Sequence, residues 1–230
     1  MYDPDAPLVT LNDILSAREF QKSSELCIHT PMIHHVQDRV GIPPSIDLHL
    51  KLETMQKTGS FKPRGIINQL RYIPDKVLSG EQTMVTLSAG NYGKAFAVAT
   101  QIKKLKALVI MASSAPDNRE TVIKSYGAQV ERYPTPELVS AVDRSVAERG
   151  MIFMHSFDDA ALIAGHGSLG LEIMEDVSDP DVVVVCCGGG GLIAGTAAAI
   201  KLSGKTSTRI YGVEPEGGKY EQIEITEASF

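Results

Sequence analysis

Short apolar runs alternate along the chain with longer stretches in which apolar positions recur every three or four residues. That alternation predicts an α/β fold with a largely parallel sheet. Strand-like runs fall at residues 48–52, 84–87, 107–111, 129–132, 151–154, 181–186 and 209–213. A first helix is expected near Thr10, where Thr10 and Asp13 have capping-box spacing. Pro63 stands where a second helix would start, with its end near Tyr72. An Ala-rich helix follows from Tyr92. Pro116 opens the next and Gly127 closes it, and Thr135 and Pro136 open another that Gly150 ends. Further helices are expected over 168–177 and 191–202. Residues 181–186 are almost wholly apolar, as in a central parallel strand covered on both faces. From Gly217 the pattern changes: KYEQIEITEASF gives a strand no following helix, and the alternation is unfinished.

Composition narrows the function classes. The 230 residues, 43% hydrophobic, suffice for one large or two modest domains with a packed core. A net charge of −6 disfavours a nucleic-acid surface. No window is basic enough for a membrane or polyanion patch, and no apolar stretch approaches the ~20 residues that span a bilayer. MYDPDAPLVT at the N-terminus has no apolar core and does not read as a signal or transit peptide. Cys27, Cys186 and Cys187 form no disulfide framework. The last two end an apolar run and read as small buried core residues, with no partner at metal-ligand spacing. A cytoplasmic protein without nucleic-acid or membrane partners is expected.

Three segments carry candidate chemistry. Thr58-Gly59-Ser60-Phe61-Lys62-Pro63-Arg64-Gly65 puts Lys62 at a loop–helix junction, where the positive helix end would favour a neutral, nucleophilic amine. Phe61 could cover one face of an aromatic ring. An isolated lysine near a turn is ordinarily a solvated surface residue, so Lys62 alone decides nothing. Gly188, Gly189, Gly190 and Gly191 stand between a strand and a helix. Four glycines let the backbone approach a ligand closely, and the N–H groups at the helix start form an anion site, as for a phosphate. Gly189-x-Gly191-x-x-Ala194 with Glu214 further on also matches a loose dinucleotide fingerprint, so an oxidoreductase reading stays open. Ser88-Ala89-Gly90-Asn91-Tyr92-Gly93 offers backbone N–H groups, a hydroxyl and an amide that suit a carboxylate, or simply an N-cap.

Together these motifs resemble the fold-type II pyridoxal-phosphate enzymes, which are tryptophan synthase β-like, and within them the serine/threonine dehydratase and serine racemase branch. The resemblance runs from about Thr10 to Glu216. It includes Phe157-Asp158-Asp159 with Ile163-Ala164-Gly165-His166-Gly167-Ser168, and Gly212-Val213-Glu214-Pro215. It implies that Lys62 forms the Schiff base with pyridoxal 5′-phosphate and later takes the substrate Cα proton. Gly188 to Gly191 and Leu192 would hold the phosphate, Phe61 would pack on the pyridine ring, and Asn91 would bond the 3′-oxygen. Ser88, with backbone groups of Ala89, Gly90, Asn91 and Tyr92, would hold the carboxylate of a small amino acid.

The implied reaction is β-elimination from L-threonine or L-serine to a 2-oxo acid and ammonia. Racemisation needs a second acid/base, which in racemases resembles a serine where this chain has Ala89. Glu214 corresponds to a divalent-cation (Mg or Ca) site of the family, but Gly218 and Tyr220 do not supply its further carboxylate. His166 and Ser168 replace the usual Gln and Thr; either could be a satisfied buried polar residue rather than a functional one, and neither is assigned a role. The resemblance implies two three-layer α/β domains, a small one over 83–158 and a larger one over 1–82 and 159–230, with the cofactor in the cleft between them. It is compatible with a homodimer. Family members continue beyond this length, so the larger domain would be incomplete and the chain, as a truncated form, weakly active or inactive.

Overall fold

The structure, a computed structural model, describes residues 8–215. In chain order its elements are α1 (Leu11–Lys22), β1 (Met32–Ile33), β2 (Leu50–Lys51), α2 (Lys62–Gln69), α3 (Asp75–Leu78), β3 (Met84–Leu87), α4 (Asn91–Ile102), β4 (Ala107–Ala112), α5 (Asp117–Ser125), β5 (Gln129–Tyr133), α6 (Leu138–Ala147), β6 (Ile152–Phe153), α7 (Ala160–Asp176), β7 (Val182–Cys186), α8 (Gly191–Leu202) and β8 (Arg209–Val213). The predicted capping box starts α1: the Thr10 hydroxyl accepts from Asp13 N–H at 3.2 Å, and the Asp13 carboxylate accepts from Thr10 N–H at 2.9 Å.

β3 to β6 form a parallel sheet in the order β5-β4-β3-β6. Alternate residues face opposite layers. Met84 and Val109 join a core with Ile66 and Ile67 of α2 and Phe96 of α4. Val85, Leu108 and Ile110 meet Ala141 and Val142 of α6. β7 and β8 pair in parallel through the crossover α8. On their inner face Val183, Val185 and Ile210 pack on Leu192, Ile193 and Ile200 of α8 and on Leu169 of α7.

Four expectations need correction. The helix expected from 168 begins at Ala160, where the Asp159 carboxylate accepts from Leu162 N–H at 2.8 Å. Gly165 and Gly167 are poor helix formers, yet both lie inside α7 where other helices cross it closely. A Cβ on Gly165 would be driven into the carbonyl of Arg64, and one on Gly167 into Ile14. The run over 48–52 contributes only Leu50–Lys51 to a sheet, and the helix expected to reach Tyr72 stops at Gln69. Finally, 181–186 is not covered on both faces among the described residues: Val182, Val184 and Cys186 are exposed, Val184 at 63%. An apolar run does not say which of its faces has a partner. The tail from Gly217 lies outside the described residues.

Candidate active site

A cavity of about 280 Å³ opens where the starts of two helices, one turn and one glycine loop meet. Phe61 and Lys62 come from the start of α2, Asn91 from the start of α4, and Phe157 from the turn after β6. Residues 186–192, between β7 and α8, complete it. A hollow of about 330 Å³ beside the ends of α1 and α4, lined by Phe20, Leu26, Ile67 and Ile102 among others, has none of these groups.

Lys62 is the first residue of α2, with Pro63 behind it, whose fixed φ suits a helix start. Its amine donates to the Ser156 carbonyl oxygen at 2.7 Å. The Phe61 ring centroid lies 5.0 Å from it and the Tyr92 ring 5.4 Å. Burial pushes the amine down to about 8. The direction is the expected one, and desolvation by burial is its largest cause.

Behind Lys62, the guanidinium of Arg64 is fully buried. It donates to both oxygens of Glu53 (2.7 and 2.8 Å) and of Glu172 (2.7 and 2.8 Å). Gln21 donates to the carbonyls of Arg64 (2.6 Å) and Gly165 (2.9 Å), tying α1 to the α2–α7 crossing. The lysine therefore projects from a helix anchored along its length. Arg64 sits inside a motif legible in the sequence, but nothing there marks it as buried.

The glycine loop is shaped by φ +86° at Gly190, the left-handed region that glycine tolerates. A Cβ on Gly189 would enter the Phe157 ring, and one on Gly191 the Phe157 carbonyl. The N–H groups at the start of α8 face the cavity mouth and have no partner within the helix, which makes an anion seat. Cys186 lines this cavity and is exposed, and Cys187 is half-buried, contrary to the expectation of two core cysteines. Cys186 ends β7 at the cavity edge, and Cys187 follows it with its N–H still donating to the Val213 carbonyl at 2.8 Å.

At the start of α4, Ser88 caps the helix: its hydroxyl accepts from Gly90 N–H at 3.3 Å and Gly93 N–H at 3.1 Å. Its proton is left free to donate. Ser88, Ala89 and Gly90 are half-buried beside the cavity's Asn91 but do not line it. The Tyr92 side chain is buried, and its hydroxyl donates to Gln69 at 2.6 Å, so only its backbone is available to a ligand there. Gln69 in turn donates to the His155 carbonyl at 3.1 Å. That chain links the lysine helix, the α4 start and the 155–158 turn. His155, Ser156 and Gln69 have no sequence signal, because their roles rest on backbone atoms or on contacts distant in sequence.

His166 is fully buried against the Phe61 ring, centroids 5.0 Å apart, and neither ring nitrogen has a hydrogen-bond partner among the described residues. The expectation of a satisfied polar residue fails for His166. It holds for Ser168, whose hydroxyl donates to the Gly165 carbonyl at 2.9 Å. Glu214 lies near Cys187, helping to raise its thiol together with burial. Among the described residues no group of three His, Cys, Asp or Glu side chains is placed to hold a metal, and Gly218 and Tyr220 lie outside them.

The family model described as "pyridoxal-phosphate dependent enzyme" matches residues 24–224, from before the lysine segment to beyond the glycine loop. The chain belongs to this family. The match takes in both segments, which the dinucleotide reading does not. An L-threonine ammonia-lyase of Thermotoga maritima is 36% identical over 211 residues, 91% of this chain and 51% of the relative. Two solved members share the fold. Serine racemase from Dictyostelium discoideum has a TM-score of 0.79 at 31% identity, over 91% of this chain and 66% of that one. The T.th. threonine deaminase has a TM-score of 0.79 at 30% identity, over 90% and 65%. The family's fold is the fold-type II α/β arrangement. The chain spans about half the length of the curated relatives it matches. No described helix is long and apolar enough to cross a membrane.

Proposed function

We propose that the protein eliminates water from L-threonine or L-serine, using pyridoxal 5′-phosphate, to yield a 2-oxo acid and ammonia. The observation that carries this reading is the pairing, in one cavity, of a buried lysine amine with a glycine-built anion seat. The residues present fit the cofactor. Lys62 supplies an amine whose neutral form is accessible near pH 8, able to attack an aldehyde. Gly188 to Gly191 and Leu192 supply backbone N–H groups for a phosphate without side chains in the way, and Phe61 and Asn91 would flank the ring.

When bound, the cofactor supplies the electron sink that makes the substrate Cα–H acidic. The remaining work falls to the chain. The Lys62 amine accepts the Cα proton, and the apolar rings around it limit competing hydration. The Ser88 proton and the N–H groups of Ala89, Asn91 and Tyr92 would orient the substrate carboxylate, with the Gly90 N–H held by the Ser88 hydroxyl, fixing which bond to Cα is weakened. Loss of the β-hydroxyl as water and hydrolysis of the carbon–nitrogen bond complete the balance.

Ala89 supports elimination over racemisation, since a methyl group can neither donate nor accept a proton from the face opposite Lys62. We place the small domain at 83–158 and the larger at 1–82 and 159–230, with the parallel sheet β3 to β6 supporting the former. The test is borohydride reduction in the presence of pyridoxal phosphate, followed by peptide mapping. A reduced adduct on the peptide containing Lys62 is expected, and label only on other lysines would overturn the assignment. A paired assay with L-serine should give pyruvate in excess of D-serine; the reverse would favour a racemase.

A further inference from the structure

β1 and β2 pair antiparallel, with Met32 opposite Lys51 and Ile33 opposite Leu50. The next positions in that register are His34 and His49. Opposed residues of an antiparallel pair share a face with Cβ atoms about 5 Å apart. The two imidazoles meet accordingly: their Nδ1 atoms are 3.0 Å apart and their ring centroids 5.0 Å.

The backbone ladder then resumes one residue out of step, with Val36 N–H donating to the Leu48 carbonyl at 2.9 Å. His35, at φ +55°, is the extra residue of a bulge, and its ring lies 5.4 Å from that of His49. Asp47 binds the outer edge of the group. One carboxylate oxygen is 2.7 Å from His35 Nδ1, and the other is 3.3 Å from His49 Nε2.

A neutral imidazole has one N–H and one lone pair. His49 Nε2 lies 3.3 Å from Asp47, and in the tautomer that carries its proton on Nε2 the His49 lone pair lies on Nδ1, facing His34. Two nitrogens 3.0 Å apart can bind one ion at bond lengths of about 2.0–2.1 Å, subtending about 91–97°. A carboxylate hydrogen-bonded to the far nitrogen is the usual partner of a metal-bound imidazole.

We propose that His34 and His49 chelate one divalent late transition-metal ion through their Nδ1 atoms, with Asp47 orienting His49. Imidazole suits nickel, copper and zinc. No third described side chain closes on the ion, so water completes its coordination. These residues do not line the lysine cavity, and the site stands apart from the reaction proposed above.

The test is calorimetric titration of untagged, cofactor-loaded protein with NiCl₂ and with ZnCl₂. One ion per chain is expected. His34→Gln and His49→Asn should each weaken binding at least tenfold, and Asp47→Asn about tenfold, as loss of an outer carboxylate does. His29→Asn, which alters a histidine outside the cluster, should bind as the parent does. Circular dichroism checks that each variant remains folded. Absence of binding to the parent, or unchanged binding by both His34→Gln and His49→Asn, would overturn the proposal and leave a hydrogen bond between two rings.

Discussion

The Lys62 amine lies 2.7 Å from the carbonyl oxygen of Ser156, its hydrogen-bond partner in the turn after β6. Burial brings its titration to about 8, below the ordinary lysine value of about 10.4. The neutral amine is the nucleophile, so its reactivity should rise with pH and level off just above 8. Exposed lysines should continue to gain reactivity up to about 10.4. Competitive reductive methylation across pH 6.5 to 10.5, read by mass spectrometry, checks this on cofactor-free protein. A Lys62 profile coinciding with the bulk lysines would contradict it.

Gly191 and Gly188 should respond differently to alanine. A Cβ at Gly191 meets the backbone carbonyl of Phe157, whereas one at Gly188 meets open space. Gly191→Ala should cost about 1–3 kcal/mol of stability, as overpacking does, and weaken cofactor binding in parallel. Gly188→Ala should leave the melting temperature within experimental scatter. Thermal unfolding with and without pyridoxal phosphate separates the two, and equal effects would refute the packing argument.

Burial holds His166 well below the usual imidazole value, and its nitrogens have no partners among the described residues. The unfolded chain takes up a proton below about pH 6.5 while the folded one does not. Stability is therefore retained above that pH and falls with acidification, by up to about 1.4 kcal/mol per pH unit from this group. His166→Met should flatten the decline between pH 6.5 and 5 without loss at pH 7.5. Urea unfolding at both ends of that range tests it, and an unchanged acid slope would rule it out.

Arg64→Met should leave Glu53 and Glu172 without their shared buried cation. Removing one partner of a buried ion network costs about 3–5 kcal/mol. The variant should unfold at markedly lower urea, or fail to accumulate folded. A loss under 1 kcal/mol would show that water reaches the two carboxylates.

Much of the frame is legible because local signals coincide with tertiary ones. Residues 84–87 and 209–213 are strands as expected, and Gly191 starts a helix. The first half of α7 is hidden because each helical glycine costs about 1 kcal/mol relative to alanine, which argues for a loop. At Gly165 and Gly167 that cost is offset by the close approach of the Arg64 backbone and of Ile14, which no local pattern reveals. Lys62, Asn91 and the glycine loop are legible as site candidates by motif. The anchoring partners are not: Ser156 acts through its carbonyl, and Glu172 reaches Arg64 from more than a hundred residues away. Cys186 reads as a core residue because an apolar strand of unbroken character hides which end opens on a cavity.

Ser156 and Phe157 are consecutive, yet they serve two different parts of the site. One holds the lysine amine, and the other fits against Gly189 and Gly191. The gap between nucleophile and anion seat is thus gauged by a single peptide link, a ruler one residue long. Any shift of that link would move the lysine's partner and the stop of the glycine loop together, so neither is set independently of the other.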